Sequence, residues 1–189
     1  RAFVVVVGRL RHDRFVDLRI EPFWETQRVR GFSCGNKDLD DFLNTDQVEK
    51  YEAEGLGKTY LVYHGGDPVA YFTISFAELR VEYLRTWKSF SRMAEMNMEA
   101  VPALKIGRLA VDSRFKGRGI GKALVRYIAG MALELMRRMG VRLIILQAKP
   151  ESIAFYKDRG FEFTAETRRE RNRVNRTMFL DLQAIEDVG

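Results

Sequence analysis

Hydrophobic and polar positions along this chain follow two periods, and the places where the period switches mark out the elements. Phe15-Val-Asp-Leu-Arg-Ile20 repeats every second residue, as a half-buried strand does. Leu39, Phe42, Leu43 and Val48 share one helical face. They follow a polar Ser33-Cys-Gly-Asn36, in which Asn36 is placed to cap the first turn; this helix should end near Gly55. Thr59–Tyr63 and Pro68–Phe76 read as strands, with Gly65-Gly66-Asp67 as the hairpin signal between them. Residues 80–101 place Tyr83, Leu84, Trp87, Phe90, Met93 and Met96 in a mixed, partly helical pattern. It is read as an amphipathic excursion capping the sheet, with a lid or substrate-side wall as the alternative. Ala103–Val111 is a strand. Ile120–Met139 is a long helix, apolar at Leu124, Ile128, Met131, Leu135 and Met136, and stopped by Gly140. Val141–Leu146 is a buried strand, and Pro150–Arg159 a short helix with proline at its start and Gly160 at its end. Phe161–Phe163 and Thr177–Leu182 are the last strands. Hairpins together with one β-α-β unit predict an α/β protein with a mixed sheet.

The connection Arg108-Leu-Ala-Val-Asp-Ser-Arg-Phe-Lys-Gly-Arg-Gly-Ile-Gly-Lys-Ala-Leu124 is the most informative segment. An apolar strand enters a loop with glycines at 117, 119 and 121, and a helix follows at once. Glycines let the backbone approach an anion, and N–H groups at the helix start point toward it, so the segment reads as a seat for a pyrophosphate. Arg114, Lys116, Arg118 and Lys122 add positive charge. A strand-to-helix turn with solvated charges is the plainer alternative. The loop is not a dinucleotide fingerprint, because the third glycine would fall at Lys122 and no acidic residue follows at a new strand end. Gly55-Leu-Gly-Lys-Thr59 is not a P-loop, because the position of its first glycine is Glu52. That stretch reads as a helix end running into a strand.

Composition narrows the class. A chain of 189 residues with 46% hydrophobic content is expected to form one domain with a real core. No apolar run approaches the ~20 residues of a membrane helix, and Phe3–Val7 with its flanks makes no signal peptide. A single cysteine, Cys34, excludes an internal disulfide framework and fits a reducing cytoplasm. His12 and His64 lie far apart with no ligand spacing, so no metal is expected. The net charge of +6 permits an anionic partner. It is concentrated in the glycine loop and in Arg168-Arg-Glu-Arg-Asn-Arg-Val-Asn-Arg176, where a solvated hairpin loop is the alternative reading.

The segment 103–139 resembles the acetyl-CoA-binding core of the GCN5-related N-acetyltransferases, the GNAT family. That family's Arg/Gln-x-x-Gly-x-Gly/Ala loop is met here by Lys116-Gly-Arg-Gly119-Ile-Gly121, with lysine in the first position. Ser152-Ile-Ala-Phe-Tyr-Lys-Asp-Arg-Gly-Phe161 resembles the family's A-x-x-F-Y-x-x-x-G-F segment, one helix and one strand further on. Phe32-Ser-Cys-Gly-Asn-Lys-Asp-Leu-Asp-Asp-Phe-Leu43 and Val101–Asp112 are similar to segments of the toxin–antitoxin members, which acetylate the α-amine of aminoacyl-tRNA. The resemblance covers roughly residues 30–182 and implies a single-domain fold with a mixed, mostly antiparallel twisted sheet flanked by helices. The domain is expected over 15–189, with 1–14 an N-terminal extension, a remnant of expression or an ordered strand.

The resemblance also implies the chemistry, acyl transfer from acetyl-CoA to a primary amine. Leu109, Ala110 and Val111 would offer backbone to the pantetheine, a bulge there would aim an N–H at the thioester oxygen, and Lys116, Gly117, Arg118, Gly119, Ile120, Gly121 and Lys122 would hold the pyrophosphate, with Ser152 also at the cofactor. Tyr156 is the expected general acid for the departing thiolate, against the alternative of a packing tyrosine beside Phe155. No base is legible: Glu78 and Glu82, at a strand end near the expected amine entry, read as surface charge, and an α-amine near ~8 needs no dedicated base; Glu78, Glu82 and Glu99 leave a cationic acceptor open. Cys34 reads as a small buried residue. Arg168, Arg169, Arg171, Arg173 and Arg176 would contact RNA phosphates. The alternatives are a small amine, a peptide or a protein N-terminus as acceptor, or a non-catalytic acetyl-CoA sensor. A homodimer, with residues 83–98 as a candidate surface, and a ribbon-helix-helix antitoxin are the implied partners.

Overall fold

The computed structural model describes residues 3–7, 16–24, 29, 31–84, 87, 90, 93, 95–165 and 174–186. The strands are β1 (Phe3–Val7), β2 (Val16–Pro22), β3 (Lys58–His64), β4 (Asp67–Arg80), β5 (Ala100–Val111), β6 (Leu143–Ala148), β7 (Glu162–Phe163) and β8 (Arg176–Asp181). The helices are α1 (Lys37–Asn44), α2 (Gln47–Ala53), α3 (Ile120–Met139), α4 (Ile153–Lys157) and α5 (Leu182–Glu186). Strands β1/β2, β2/β3, β3/β4, β6/β8 and β7/β8 pair antiparallel, and β5/β6 pair parallel. The α/β class with a mostly antiparallel mixed sheet is therefore as the sequence implies. None of the described helices is long and apolar enough to cross a membrane.

The chain divides into two compact units, Arg1–Ser75 with Gly107–Val125 and Phe76–Ile106 with Arg126–Gly189. In the first, β1 pairs with β2 from Phe3↔Ile20 to Val7↔Val16, so part of the N-terminal segment is a strand. The core gathers Phe32, Phe42, Leu43, Val48, Leu61, Tyr71 and Ala110. Phe32 meets Tyr71 edge-on at 5.4 Å, and Phe42 stacks on Tyr71 at 5.8 Å. The guanidinium of Arg108 lies 3.7 Å from the Phe42 ring centre and 5.3 Å from that of Tyr51.

The single helix expected from Asn36 to Gly55 is two. Asn36 caps α1 through Leu39 N–H. The Thr45 hydroxyl then donates to the Asp41 carbonyl at 2.7 Å and accepts from Gln47 N–H at 3.3 Å, which ends one helix and opens the next. Gly55, at φ +64°, closes α2. The P-loop look-alike has a structural cause. Glu52 accepts from Thr59 N–H and from the Lys58 ammonium, both at 2.5 Å. A Cβ on Gly57 would lie 2.2 Å from the Tyr51 hydroxyl and 2.6 Å from the Ile74 carbonyl oxygen.

The end of β5 is fixed by Asp112, 1% exposed. Its carboxylate accepts from Arg114 N–H at 2.9 Å, from Arg114 Nε at 2.9 Å and Nη2 at 3.1 Å, and from Ser33 N–H at 3.3 Å. Ser113 N–H donates back to the Ser33 carbonyl at 2.8 Å, and the Lys116 ammonium donates to the Cys34 carbonyl at 2.6 Å. Cys34 N–H in turn reaches Asp40 of α1 at 2.7 Å. The Ser33–Asp40 stretch and the start of the glycine loop are thus clasped together. The Arg114 guanidinium, helped by the backbone donors and opposed by burial, holds Asp112 below its ordinary 3.8.

In the second unit β6 pairs with β5 from Ala103↔Leu143 to Ile106↔Leu146 and with β8 from Leu143↔Asp181 to Ala148↔Arg176. Leu79, Val81, Leu84, Phe90, Val101, Ala103, Leu143, Ile145 and Phe179 form its core, and Tyr83, Trp87 and Met93 pack against it. Of the described residues between 83 and 98, Leu84 and Phe90 are buried and Tyr83, Trp87 and Met93 pack against this core, whereas Met96 and Met98 are exposed. Arg142 forks onto Asp181 at 2.7 and 2.9 Å and lies 5.3 Å from the Phe90 ring.

Two substitutions test these readings. Gly57→Ala should lower stability by ~1–3 kcal/mol, because the Ile74 backbone cannot give way, and chemical denaturation will measure it. Asp112→Asn should cost ~1–3 kcal/mol at pH 7 by leaving buried donors badly paired. A carboxyl held low in the folded state stabilises above its unfolded value and loses that contribution as pH falls through the folded one. The gap between wild type and Asp112→Asn should therefore close below pH 3.8, and equal stabilities at pH 7 would refute the role of the clasp.

Candidate active site

The glycine loop lies in the first unit. Gly117 and Gly119 sit at φ +75° and +82°, where residues with a Cβ are strained. α3 makes its first backbone bond from Ala123 N–H to the Gly119 carbonyl, so the N–H groups of Ile120, Gly121 and Lys122 have no carbonyl behind them. No acidic residue stands in that first turn. A Cβ on Gly117 would meet nothing within 4 Å. These are the properties of an open anion seat, and they fit a pyrophosphate.

The four basic residues predicted around the loop divide into two pairs. Arg114 and Lys116 are tied to Asp112 and to the Cys34 carbonyl. Arg118 is exposed, with its guanidinium 5.0 Å from the Phe115 ring, and Lys122 is exposed. The charge free to face a ligand is therefore that of Arg118, Lys122 and the helix start, and Lys116 has its backbone N–H to offer. On β5, Ala110 is buried in the aromatic core, while Leu109 and Val111 are half-buried. Burial, with Asp40 adding to it, pushes the Cys34 thiol up to about 11, so Cys34 is protonated at neutral pH and no nucleophile.

Ser152, Tyr156 and Arg176 lie in the second unit. Ser152 ends a 3-10 turn, Pro150–Ser152, that leads into α4. Tyr156 is packed edge-on between Phe155 at 5.0 Å and Phe161 at 5.5 Å. Its hydroxyl makes no hydrogen bond among the described residues. Burial pushes the phenol up to about 12, and Arg159 works the other way. Gly160, at φ +82°, then turns the chain, and Phe161 N–H bonds to the Tyr156 carbonyl at 3.2 Å.

The same unit holds a cleft of about 260 Å³, lined in part by Glu78, Leu79, Tyr83, Lys105, Ile145 and Gln147. Glu78 and Glu82, equivalent in the sequence, separate here: Glu78 lines the cleft, whereas Glu82 lies 3.5 Å from Arg80 Nε. Glu99 is exposed. Thr164 and Thr177 also line the cleft, and Ala165 N–H bonds to the Tyr83 carbonyl at 2.8 Å. Arg168, Arg169, Arg171 and Arg173 lie outside the described residues. Arg176 opens β8 with its guanidinium 4.9 Å from the Phe163 ring. Asp40, Lys105 and Asp112 were missed as site residues. An acid directly before a basic glycine loop was the available signal for Asp112; Lys105 gave none. Among the described residues no group of three His, Cys, Asp or Glu is placed to hold a metal ion.

The Acetyltransferase (GNAT) family model matches residues 23–161. A tRNA-acetylating toxin of Mycobacterium tuberculosis is 26% identical over 137 residues, 72% of this chain and 79% of that protein. The solved structure of AtaT complexed with acetyl-methionyl-tRNAfMet is similar in fold, with a TM-score of 0.76 at 21% identity, over 91% of this chain and 99% of that one. A mutant AtaT toxin bound to the C-terminus of the antitoxin AtaR and acetyl-CoA gives 0.70 at 20% identity, over 90% and 97%. With a family model matching residues 23–161, most of its length, the chain belongs to the GNAT family and is an N-acetyltransferase with acetyl-CoA as its acetyl donor.

Proposed function

We propose that the acceptor is the α-amine of aminoacyl-tRNA and that Tyr156 assists departure of the thiolate. The observation that carries the acceptor reading is the place of the arginine-bearing connection. Thr164-Ala165 at one end and Val174–Thr177 at the other flank it, and Thr164 and Thr177 line the cleft. The described residues on either side of Arg168, Arg169, Arg171 and Arg173 thus reach the cleft, which supports a reading in which those arginines contact RNA phosphates. The tRNA-acetylating relative supports the same reading. An antitoxin of the ribbon-helix-helix kind and a second copy of the chain are the partners it entails; antitoxin binding by AtaT supports the first.

Acetyl-CoA supplies the thioester and the leaving thiolate. The amine nitrogen forms a bond to the acetyl carbon as the carbon–sulfur bond breaks; the amine's proton passes to solvent and the thiolate gains one. The backbone of Leu109–Val111 would lie along the pantetheine, and the loop 116–122 would hold the pyrophosphate; the resemblance adds Ser152 as a further contact to the donor. Positioning then provides much of the acceleration. Tyr156 stays protonated across the working pH range, the state a donor requires. A phenol at about 12 is a weaker acid than a thiol near ~8.5. Tyr156 therefore acts chiefly by a hydrogen bond to the sulfur as charge develops there, more than by complete proton transfer.

Tyr156→Phe should leave stability and acetyl-CoA affinity unchanged, since the ring keeps its aromatic neighbours and the hydroxyl has no partner among the described residues to lose. It should lower turnover ten-fold or more, the scale of lost acid–base help. Single-turnover transfer measures this, and unchanged turnover would remove Tyr156 from the mechanism. Binding of charged tRNA should weaken steeply with salt, and replacing Arg168, Arg169, Arg171 and Arg173 with glutamine should flatten the log–log slope by about one per phosphate-contacting arginine. A slope that ignores the four substitutions would exclude that role.

A further inference from the structure

The cleft of the second unit is lined by a cation, Lys105, that makes no ion pair among the described residues. Lys105 stands on β5 opposite Ile145 of β6, with its side chain half-buried. Among the described residues its ammonium enters no ion pair and no hydrogen bond. Beside it the wall is apolar: Leu79 is 6% exposed, Ile145 8% and Leu146 2%. Glu78 and Arg80 also line the cleft, both exposed to water, and Arg80 lies 3.5 Å from Glu82. The volume of about 260 Å³ is about nine times the ~30 Å³ share of one water, so the cleft has room for an amino-acid side chain.

We infer that this cleft receives the side chain of the acylated amino acid, admits apolar side chains and excludes cationic ones, with Lys105 as the residue that excludes. The inference rests on the aminoacyl-tRNA reading above. Leu79 and Ile145 offer an apolar side chain a surface that removes it from water. A lysine or arginine side chain would bring a second positive charge against a half-buried ammonium, where low local dielectric strengthens repulsion. Glu78 has the opposite sign, but water and salt screen an exposed carboxylate, so Lys105 dominates. Lys105 touches no reacting atom in this scheme; it determines specificity.

The experiment is label transfer from radiolabelled acetyl-CoA to one tRNA body charged in turn with leucine, phenylalanine, lysine and arginine. The full chain is compared with Lys105→Met and Lys105→Glu. The wild type should favour leucine and phenylalanine over lysine and arginine by ten-fold or more in kcat/KM. Lys105→Glu should raise the lysine-to-leucine ratio at least ten-fold, with Lys105→Met between. A purely structural role would lower all four substrates together and leave the ratio where it was. An unmoved ratio with leucyl transfer intact overturns the inference and leaves the aminoacyl-tRNA reading standing. If Lys105→Glu fails to fold, the Lys105→Met ratio decides, and no rise there is equally fatal. If no charged tRNA takes label, that reading fails first. Peptides with N-terminal leucine or lysine then give the same ratio, and absence of label on both overturns the cleft as well.

Discussion

The first unit is organised around one buried carboxylate. Asp112 sits where β5 ends, and an isolated charge at that depth would be strongly unfavourable. Arg114 and the Ser33 N–H satisfy it from opposite sides. The two donor segments are far apart in sequence, so satisfying this carboxylate fixes the loop start relative to the turn before α1. The orientation of the glycine loop, and of the N–H groups that open α3, follows from that fixed point. Gly117 and Gly119 then let the backbone turn with no side chain intruding on the seat.

Positive charge near the loop therefore has two jobs. Arg114 and Lys116 neutralise a carboxylate and satisfy a carbonyl, holding the loop in shape. Arg118 and Lys122 remain on the surface with the helix start. In the second unit a partly buried pair, Arg142 and Asp181, ties the start of β6 to the end of β8 in the same structural manner. Lys105 differs from all of these because it is half-buried and yet unpaired among the described residues. Tyr156 shows the same division within one side chain: its ring belongs to an aromatic cluster, and its hydroxyl is left over.

Segments whose period was strong were legible in advance. α3 spans Ile120–Met139 as expected, because its apolar stripe and its closing Gly140 are local signals. The break between α1 and α2 escaped notice because Thr45 and Asp46 interrupt a helical pattern only through hydrogen bonds that periodicity does not register. The aromatic stretch after β4 was ambiguous because its residues gain meaning from Phe179 and Leu143, which are remote in sequence. Equally, Glu78 and Glu82 differ only in what lies opposite them.

By itself the sequence determined the order of most elements, the glycine-rich strand-to-helix connection and the family to which the two glycine- and tyrosine-bearing motifs belong. These are properties of contiguous residues: periodicity, turn chemistry and spacing. Only the tertiary structure decided which charges are structural and which are not, that the phenol of Tyr156 has no hydrogen-bond partner among the described residues, and that Lys105 and Glu78 line one cleft. Those properties depend on what other strands and turns bring within a few ångströms, and burial and pairing, which set the energy of a charge, are decided there.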